Sequence, residues 1–137
     1  MNQDYTDIIQ QVSQVLLQAI KEREFNLVQN LDKLDSELAK ILRLIGLQII
    51  SMLLNGLAQQ ATQEAKKPGL VVHRRSTVKY SVIFGTVEVS SPYLWHKKEG
   101  WGIRPVKEKL GIEHGEYSLA VKRALAASES LRAFLFW

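Results

Sequence analysis

Apolar residues in the first part of the chain recur at intervals of three and four, the spacing of one face of an α-helix. Asp4 and Thr6 stand where either side chain can cap the start of this helix by accepting bonds from free backbone N–H groups. The apolar positions that predict the helix are Ile8, Ile9, Val12, Val15, Leu16, Ala19 and Ile20.

A second helix is predicted after a break at about 30–35, where Asn, Asp and Ser favour caps over helix interiors. Its apolar residues alternate in steps of four and three, close to a heptad seam: Leu34, Leu38, Ile41, Ile45, Ile49, Met52 and Gly56. Leu42, Leu53 and Leu57 widen this face beyond the need of one partner helix. Two alternatives follow: an antiparallel helix pair that encloses its own core, or self-association through the surplus apolar face. Lys66 to Gly69, the order KKPG, should end the helix.

The stretch 44–63 carries no charge and is long enough to cross a membrane. Its polar residues nevertheless fall in one stripe on a helix: Gln48, Ser51, Asn55, Gln59 and Thr62. We therefore expect the polar stripe to face water, the opposite face to cover a core, and the chain to have no membrane partner. The first residues are acidic and polar, whereas a secretory signal begins with basic and then apolar residues. This difference favours a cytoplasmic location.

The periodicity changes from helical to alternating after Leu70, which predicts a β-hairpin. One strand places Val78, Tyr80, Val82 and Phe84 on its apolar face, a tight turn follows at Phe84–Gly85, and Thr86 to Ser90 forms the second strand. Pro92 should end regular pairing because it lacks an N–H group. Two strands alone are marginal in water, so we expect cover from a further strand at about 70–73 or from the helices.

Two more helices are predicted near the end of the chain. Pro105 suits the first turn of a short helix from about Arg104 to Leu110, and Gly111 should stop it. Ser118 can cap a last helix that begins near Leu119. The expected fold is thus α+β: long N-terminal helices forming an antiparallel pair or a stalk, then a β-hairpin or small antiparallel sheet, a short helix and a C-terminal helix. We expect 1–67 to be a helical region and 68–137 a basic region.

Charge is divided unevenly over the 137 residues. The net charge of +4 combines −3 over residues 1–65 with +7 over residues 66–137. A basic half joined to an acidic helical half predicts a surface for a polyanion, which we take to be DNA. Trp95 and Trp101 flank the basic stretch and can stack on bases or pack on the hairpin. The candidate DNA-binding residues are Arg74, Arg75, Lys79, His96, Lys97, Lys98, Arg104, Lys107 and Lys109. The alternative is a solvated basic face that keeps the protein soluble.

Enzymatic chemistry finds little support in the residue order. The chain has no cysteine, which excludes disulfides, a thiol nucleophile and Cys-rich zinc sites. His73, His96 and His114 have no closely spaced carboxylate pair beside them, so we expect no metal site and no cofactor. The acidic residues are scattered at surface spacings, and there is no phosphate-loop, HExxH or GxSxG pattern. We expect no catalytic activity from this chain.

One stretch carries a family resemblance. The order RRSTVxYxxxFGTVEVxSPYLW (Arg74 to Trp95), followed by GIRPVKEKLGI and YSxAVxRAL (within Gly102 to Leu125), resembles the N-terminal region of ISKra-type insertion-sequence transposases, abundant in cyanobacteria. The resemblance implies a helical stretch before this region and an RNase-H-like nuclease domain with metal-binding carboxylates after it. It covers about residues 65–125. The family's knuckle cysteines are missing here, so a zinc site does not carry over.

The resemblance leads to an expected function. The chain would be the non-catalytic DNA-binding and assembly portion of a transposase, truncated before the nuclease domain, that helps recognise element ends and hold two copies together. It would then be cytoplasmic, and associated with the nucleoid when bound to DNA. Two alternatives remain: a helical adaptor that docks on a protein partner through its apolar surplus and the tail Phe134 to Trp137, or a decayed pseudogene product without activity.

Overall fold

The computed structural model describes residues 4–22 and 31–135 and confirms an α+β fold. Two long helices come first, and six short strands and two further helices follow. In chain order the elements are α1 (Thr6–Glu22), α2 (Leu31–Ala65), β1 (Leu70–Arg74), β2 (Thr77–Val82), β3 (Gly85–Ser90), β4 (Tyr93–His96), β5 (Trp101–Ile103), α3 (Pro105–Leu110), β6 (Glu116–Tyr117) and α4 (Leu119–Leu135).

The chain forms two compact units, Met1–Lys40 and Ile41–Trp137. The sequence predicted a boundary between a helical region and a basic region after residue 67, close to the end of α2. The second unit instead includes the later turns of α2, because Ala58 on that helix is buried in one cluster with Val78 and Val89 of the strands.

The start of α1 follows the predicted capping chemistry. The backbone N–H of Thr6 donates to Asp4 Oδ1 over 2.9 Å, and the Thr6 hydroxyl donates to the same oxygen. Both bonds lower the pKa of Asp4 because they stabilise its charged form, and the bond from the Thr6 hydroxyl has the larger effect. Of Asp4 and Thr6, Asp4 is therefore the side chain that caps α1.

The later helices also begin and end where their local chemistry predicts. Pro105 occupies the first turn of α3, and Gly111 follows the helix with φ 69°, a left-handed conformation that suits glycine. Ser118 Oγ accepts the backbone N–H of Val121 at the start of α4, over 3.2 Å. Both boundaries are confirmed because each depends on residues close together in sequence.

The predicted hairpin is formed by β2 and β3, with its turn one residue earlier than expected. Val82 pairs with Gly85, so Ile83 and Phe84 are the turn residues. Phe84 accordingly leaves the apolar face of the strand, and its ring lies against Gly46 of α2. A Cβ at Gly46 would come within 2.7 Å of that ring, so the close approach depends on glycine at this position. Pro92 lies between β3 and β4 and interrupts pairing as predicted.

The strands form two three-stranded sheets. The first sheet has the order β1-β4-β5 and is antiparallel, and the second sheet has the order β3-β2-β6, in which β6 runs parallel to β2. The strand at 70–74 therefore pairs with β4 in the first sheet and does not add to the β2–β3 hairpin. The apolar face of the hairpin is covered by helices, in a core of Ala58, Val78, Val82, Val87, Val89, Val106 and Ile112.

The orientation of α2 differs from the prediction. Its polar stripe does not face water only, but runs along the edge of β3. Asn55 Nδ2 donates to the carbonyl of Glu88 over 3.0 Å, and the N–H of Ser90 donates to Asn55 Oδ1 over 3.1 Å. Because these two backbone groups of an edge strand have no partner strand, the amide side chain supplies the missing hydrogen bonds.

As a consequence, the heptad seam of α2 is largely exposed. In the seam, Ile49 is 52% exposed and Met52 66%, and Leu53 beside the seam is 61% exposed, whereas Leu47, Ile50 and Leu54 pack against the core. By length and composition, Asp32–Ala65 is also apolar enough to cross a membrane, with a mean hydropathy of 1.7 over its most apolar window. The absence of a membrane partner therefore stays a prediction.

Replacing Asn55 with leucine should lower the free energy of unfolding by about 1–2 kcal/mol, because the β3 edge loses two hydrogen bonds to a side chain. Urea denaturation followed by circular dichroism measures the change. Gln59→Leu is the matched control, since among the described residues no hydrogen bond joins the Gln59 side chain to β3. Equal losses in both variants would contradict the role assigned to Asn55.

Candidate nucleic-acid interface

The first sheet has one apolar face turned inward and one aromatic face turned outward. Successive side chains of a strand point to opposite faces, so Leu94 lies between two residues of the other face. Leu94 is fully buried and pairs with Val72 and Ile103 on the neighbouring strands. Tyr93 and Trp95 lie on the outer face and are half-buried.

A β-bulge adds a third ring to this outer face. The register of β1 against β4 shifts between Val72 and Arg74, so that His73 and Arg74 together oppose Tyr93. The His73 ring lies 6.0 Å from the Tyr93 ring and 6.3 Å from the Trp95 ring, and the latter two rings are 6.3 Å apart. We call His73, Tyr93 and Trp95 the aromatic face.

Tyr93 extends across β5 because Gly102 has no side chain. A Cβ at Gly102, which is paired with Trp95, would collide with the Tyr93 hydroxyl. Arg104 follows directly after β5, and its guanidinium carbon lies 5.5 Å from the centroid of the Tyr93 ring. This distance is typical of a cation–π contact. Tyr93 is thus paired with Arg74 on β1, and its ring lies under the guanidinium of Arg104, which follows β5.

The predicted cationic cluster at the base of the hairpin does not form as expected. The base itself is closed, since Ser91 N–H donates to the Ser76 carbonyl over 2.8 Å. However, β4 then carries the chain three residues onward from Tyr93 to His96, a rise of about 10 Å. Arg74 and the Lys97–Lys98 pair therefore lie at opposite ends of the first sheet. Arg104, which follows β5, lies at the same end of the sheet as Arg74.

A second group of cations gathers at the far end of the first sheet. Leu70 pairs with His96, and a Cβ at Gly69 would collide with the His96 ring. This register brings the segment that enters β1 next to the turn between β4 and β5. Four exposed lysines lie in these two segments: Lys66, Lys67, Lys97 and Lys98. Sequence reasoning assigned Lys66 and Lys67 only to the end of α2 and missed their place here.

Lys107 and Lys109 are engaged with carboxylates. Lys107 Nζ lies 3.2 Å from Glu113, and Lys109 Nζ lies 3.1 Å from Glu64 of α2. The hydrogen bond from Lys109 lowers the pKa of Glu64 because it stabilises the carboxylate, and the hydrogen bond from Gln60 has the same but smaller effect. These two lysines are therefore partly neutralised by neighbours.

The other candidate residues lie apart from one another. Lys79 is on the second sheet, where it pairs with Glu88 across β2 and β3. Arg75 lines a groove beside α2 that also includes Lys66 and Pro92. His96 stacks on Trp101, with ring centroids 5.4 Å apart and planes inclined by 18°.

The turn between β4 and β5 holds Trp101 in place. His96 Nδ1 accepts the N–H of Glu99 over 3.1 Å, and Trp101 Nε1 donates to the Glu99 carboxylate over 2.6 Å. Trp101 therefore packs on this turn, through the His96 ring and the Glu99 carboxylate. Trp95 keeps its place on the aromatic face.

In residues 4–22 and 31–135, no group of three or more histidine or acidic side chains is placed to hold a metal ion. In the comparisons with known proteins, no family model matches the chain, and no curated protein or solved structure matches it. The resemblance to ISKra-type transposases remains an expectation from the sequence.

Proposed function

We propose that this chain binds DNA through the first sheet and the lysines at its far end, as the DNA-binding and assembly portion of an ISKra-type transposase. In such a protein the resemblance assigns DNA cleavage to a separate nuclease domain. The observation that carries the proposal is the gathering of exposed cations at both ends of one sheet. Arg74 and Arg104 flank Tyr93 at one end, and four lysines lie at the other.

The electrostatics of this surface suit a phosphate backbone. Six cations lie within the sheet and the segments beside it: Lys66, Lys67, Arg74, Lys97, Lys98 and Arg104. Cations that neutralise phosphates release condensed counterions, so the affinity for DNA falls steeply with added salt. Such contacts position the protein on DNA but read little sequence.

The test is a titration of a labelled DNA duplex with the full chain at 50 and 200 mM salt. With about six phosphate contacts, we expect the affinity to fall by about 10³-fold between the two conditions. The double variant Lys97→Gln/Lys98→Gln should lower the magnitude of the salt slope by about 2, since each lost phosphate contact removes about 0.9.

A matched control separates this site from net charge alone. Lys107→Gln/Lys109→Gln removes the same charge from two lysines that contact Glu113 and Glu64. We expect a clearly smaller change in slope. Equal effects of the two double variants would argue against a defined site, and failure to bind either duplex or single-stranded DNA at 50 mM salt would overturn the proposal.

Assembly is the second part of the proposal, and the exposed seam of α2 supports it. Ile45, Ile49, Met52 and Gly56 keep the four- and three-residue spacing with which two helices interlock, while the opposite side of α2 packs on the core. A second copy of the chain offers the same seam, with the same spacing. A helical adaptor function would use this surface for a different protein.

A further inference from the structure

We infer that the aromatic face is a stacking surface for unpaired DNA bases, so that the chain prefers single-stranded DNA to a duplex of the same sequence. The inference rests on the proposed DNA binding and names the form of DNA that this site takes. It depends on three rings and two arginines brought to one side of the first sheet.

The chemistry of the surface matches that of a single strand. Every base has a π-face, and stacking on an aromatic side chain contributes about 5- to 150-fold in affinity per base. In a duplex these faces are already covered by neighbouring base pairs. A sheet that displays aromatic rings between cations therefore gains contacts from a single strand that a duplex does not offer.

The geometry around Tyr93 favours this use. Because Gly102 lacks a side chain, the Tyr93 ring can lie across β5. Arg74 is paired with Tyr93 on the neighbouring strand, and the Arg104 guanidinium lies over the Tyr93 ring, so the phosphates next to a stacked base would find cations beside the aromatic face. The aromatic face thus combines a ring for the base with charge for the backbone.

The outer side of the first sheet is also accessible. His73 is exposed, and Val71, which pairs with Trp95, retains 41% of its surface. A face used only for internal packing would be covered by another element. The lysines at the far end of β4 extend the charged path beyond Trp95, as a strand of several nucleotides requires.

The experiment compares a 20-nucleotide single strand of mixed, non-self-complementary sequence with its duplex, both titrated against the full chain at 150 mM salt. We expect the single strand to bind at least about tenfold more tightly. Tyr93→Leu and Trp95→Leu should each lower single-strand affinity by about 5- to 150-fold and leave duplex affinity within about twofold. Trp101→Leu is the control, because that ring stacks on His96 in the turn, and its single-strand affinity should hardly change.

A second measurement does not depend on the variants folding. The unaltered chain is irradiated with a single strand that carries 5-bromodeoxyuridine, and the crosslinked residues are identified by mass spectrometry. We expect crosslinks at Tyr93 or Trp95. Crosslinks confined to residues outside the aromatic face would overturn the inference.

The outcomes separate the inference from the proposed function. Equal or tighter binding of the duplex would overturn the stacking surface and leave DNA binding intact. Failure of both DNA forms to bind at 50 mM salt would overturn both. Loss of duplex and single-strand affinity by the same factor in Tyr93→Leu, with the fold retained, would also count against stacking.

Discussion

Replacing Leu94 with alanine should lower the free energy of unfolding by about 2–5 kcal/mol, the usual cost of truncating a buried leucine. Leu94 is fully buried at the centre of the first sheet, where it pairs with Val72 and Ile103. Because a domain of this size is stable by only about 5–15 kcal/mol, the loss is a large share of the total. Urea denaturation followed by circular dichroism gives the difference.

The control for Leu94 is the same substitution at an exposed position. Leu57 on α2 is 47% exposed, so Leu57→Ala removes much less buried surface and should cost below about 1 kcal/mol. If the two variants were equally stable, Leu94 would not occupy the interior position that the first sheet assigns to it. The aromatic face on the other side of β4 would then lose its structural basis.

Two glutamates on the exposed apolar face of α2, Ile49→Glu in the seam together with Leu53→Glu beside it, should convert a self-associating chain into a monomer. Ile49 is 52% exposed and Leu53 61%, so the monomer tolerates the change. In an assembled pair the same side chains would be buried, and an unpaired buried charge is strongly unfavourable. Sedimentation velocity across a range of concentrations measures the mass.

The matched control places the same charges on another helix. Leu119 and Leu125 on α4 are 61% and 51% exposed, and Leu119→Glu/Leu125→Glu should leave the mass unchanged. An unaltered chain that stays monomeric at all concentrations would contradict assembly through α2. A chain that partitions into lipid vesicles through α2 would favour the membrane alternative instead.

Elements defined by neighbouring residues could be predicted from the sequence. KKPG after α2, Pro105 and Gly111 around α3, and Ser118 before α4 each act through capping or backbone geometry within a few residues. The β2–β3 hairpin was also predictable, because its apolar alternation and its turn lie in one short segment. The turn was predicted one residue too late, because Gly85 suits a tight turn as well as it suits the first position of β3, where it lies.

Pairings between distant segments could not be predicted in this way. The strand at Leu70–Arg74 pairs with β4 and not with the hairpin, and β5 and β6 are too short to show periodicity. The polar stripe of α2 suggested a face toward water because sequence alone does not reveal that Asn55 has backbone partners on β3. The same limit applies to charge, since the partners of Lys107 and Lys109 are seen only in the fold.

The amide of Asn55 also has a consequence for templated aggregation. An unpaired edge strand is a template with which a strand of another polypeptide can pair, and repeated pairing of this kind builds cross-β aggregates. Here a helix side chain occupies the outward-facing backbone groups of Glu88 and Ser90, so an incoming segment would first have to displace it. One asparagine on α2 thereby protects the hairpin from templated aggregation at its outer margin.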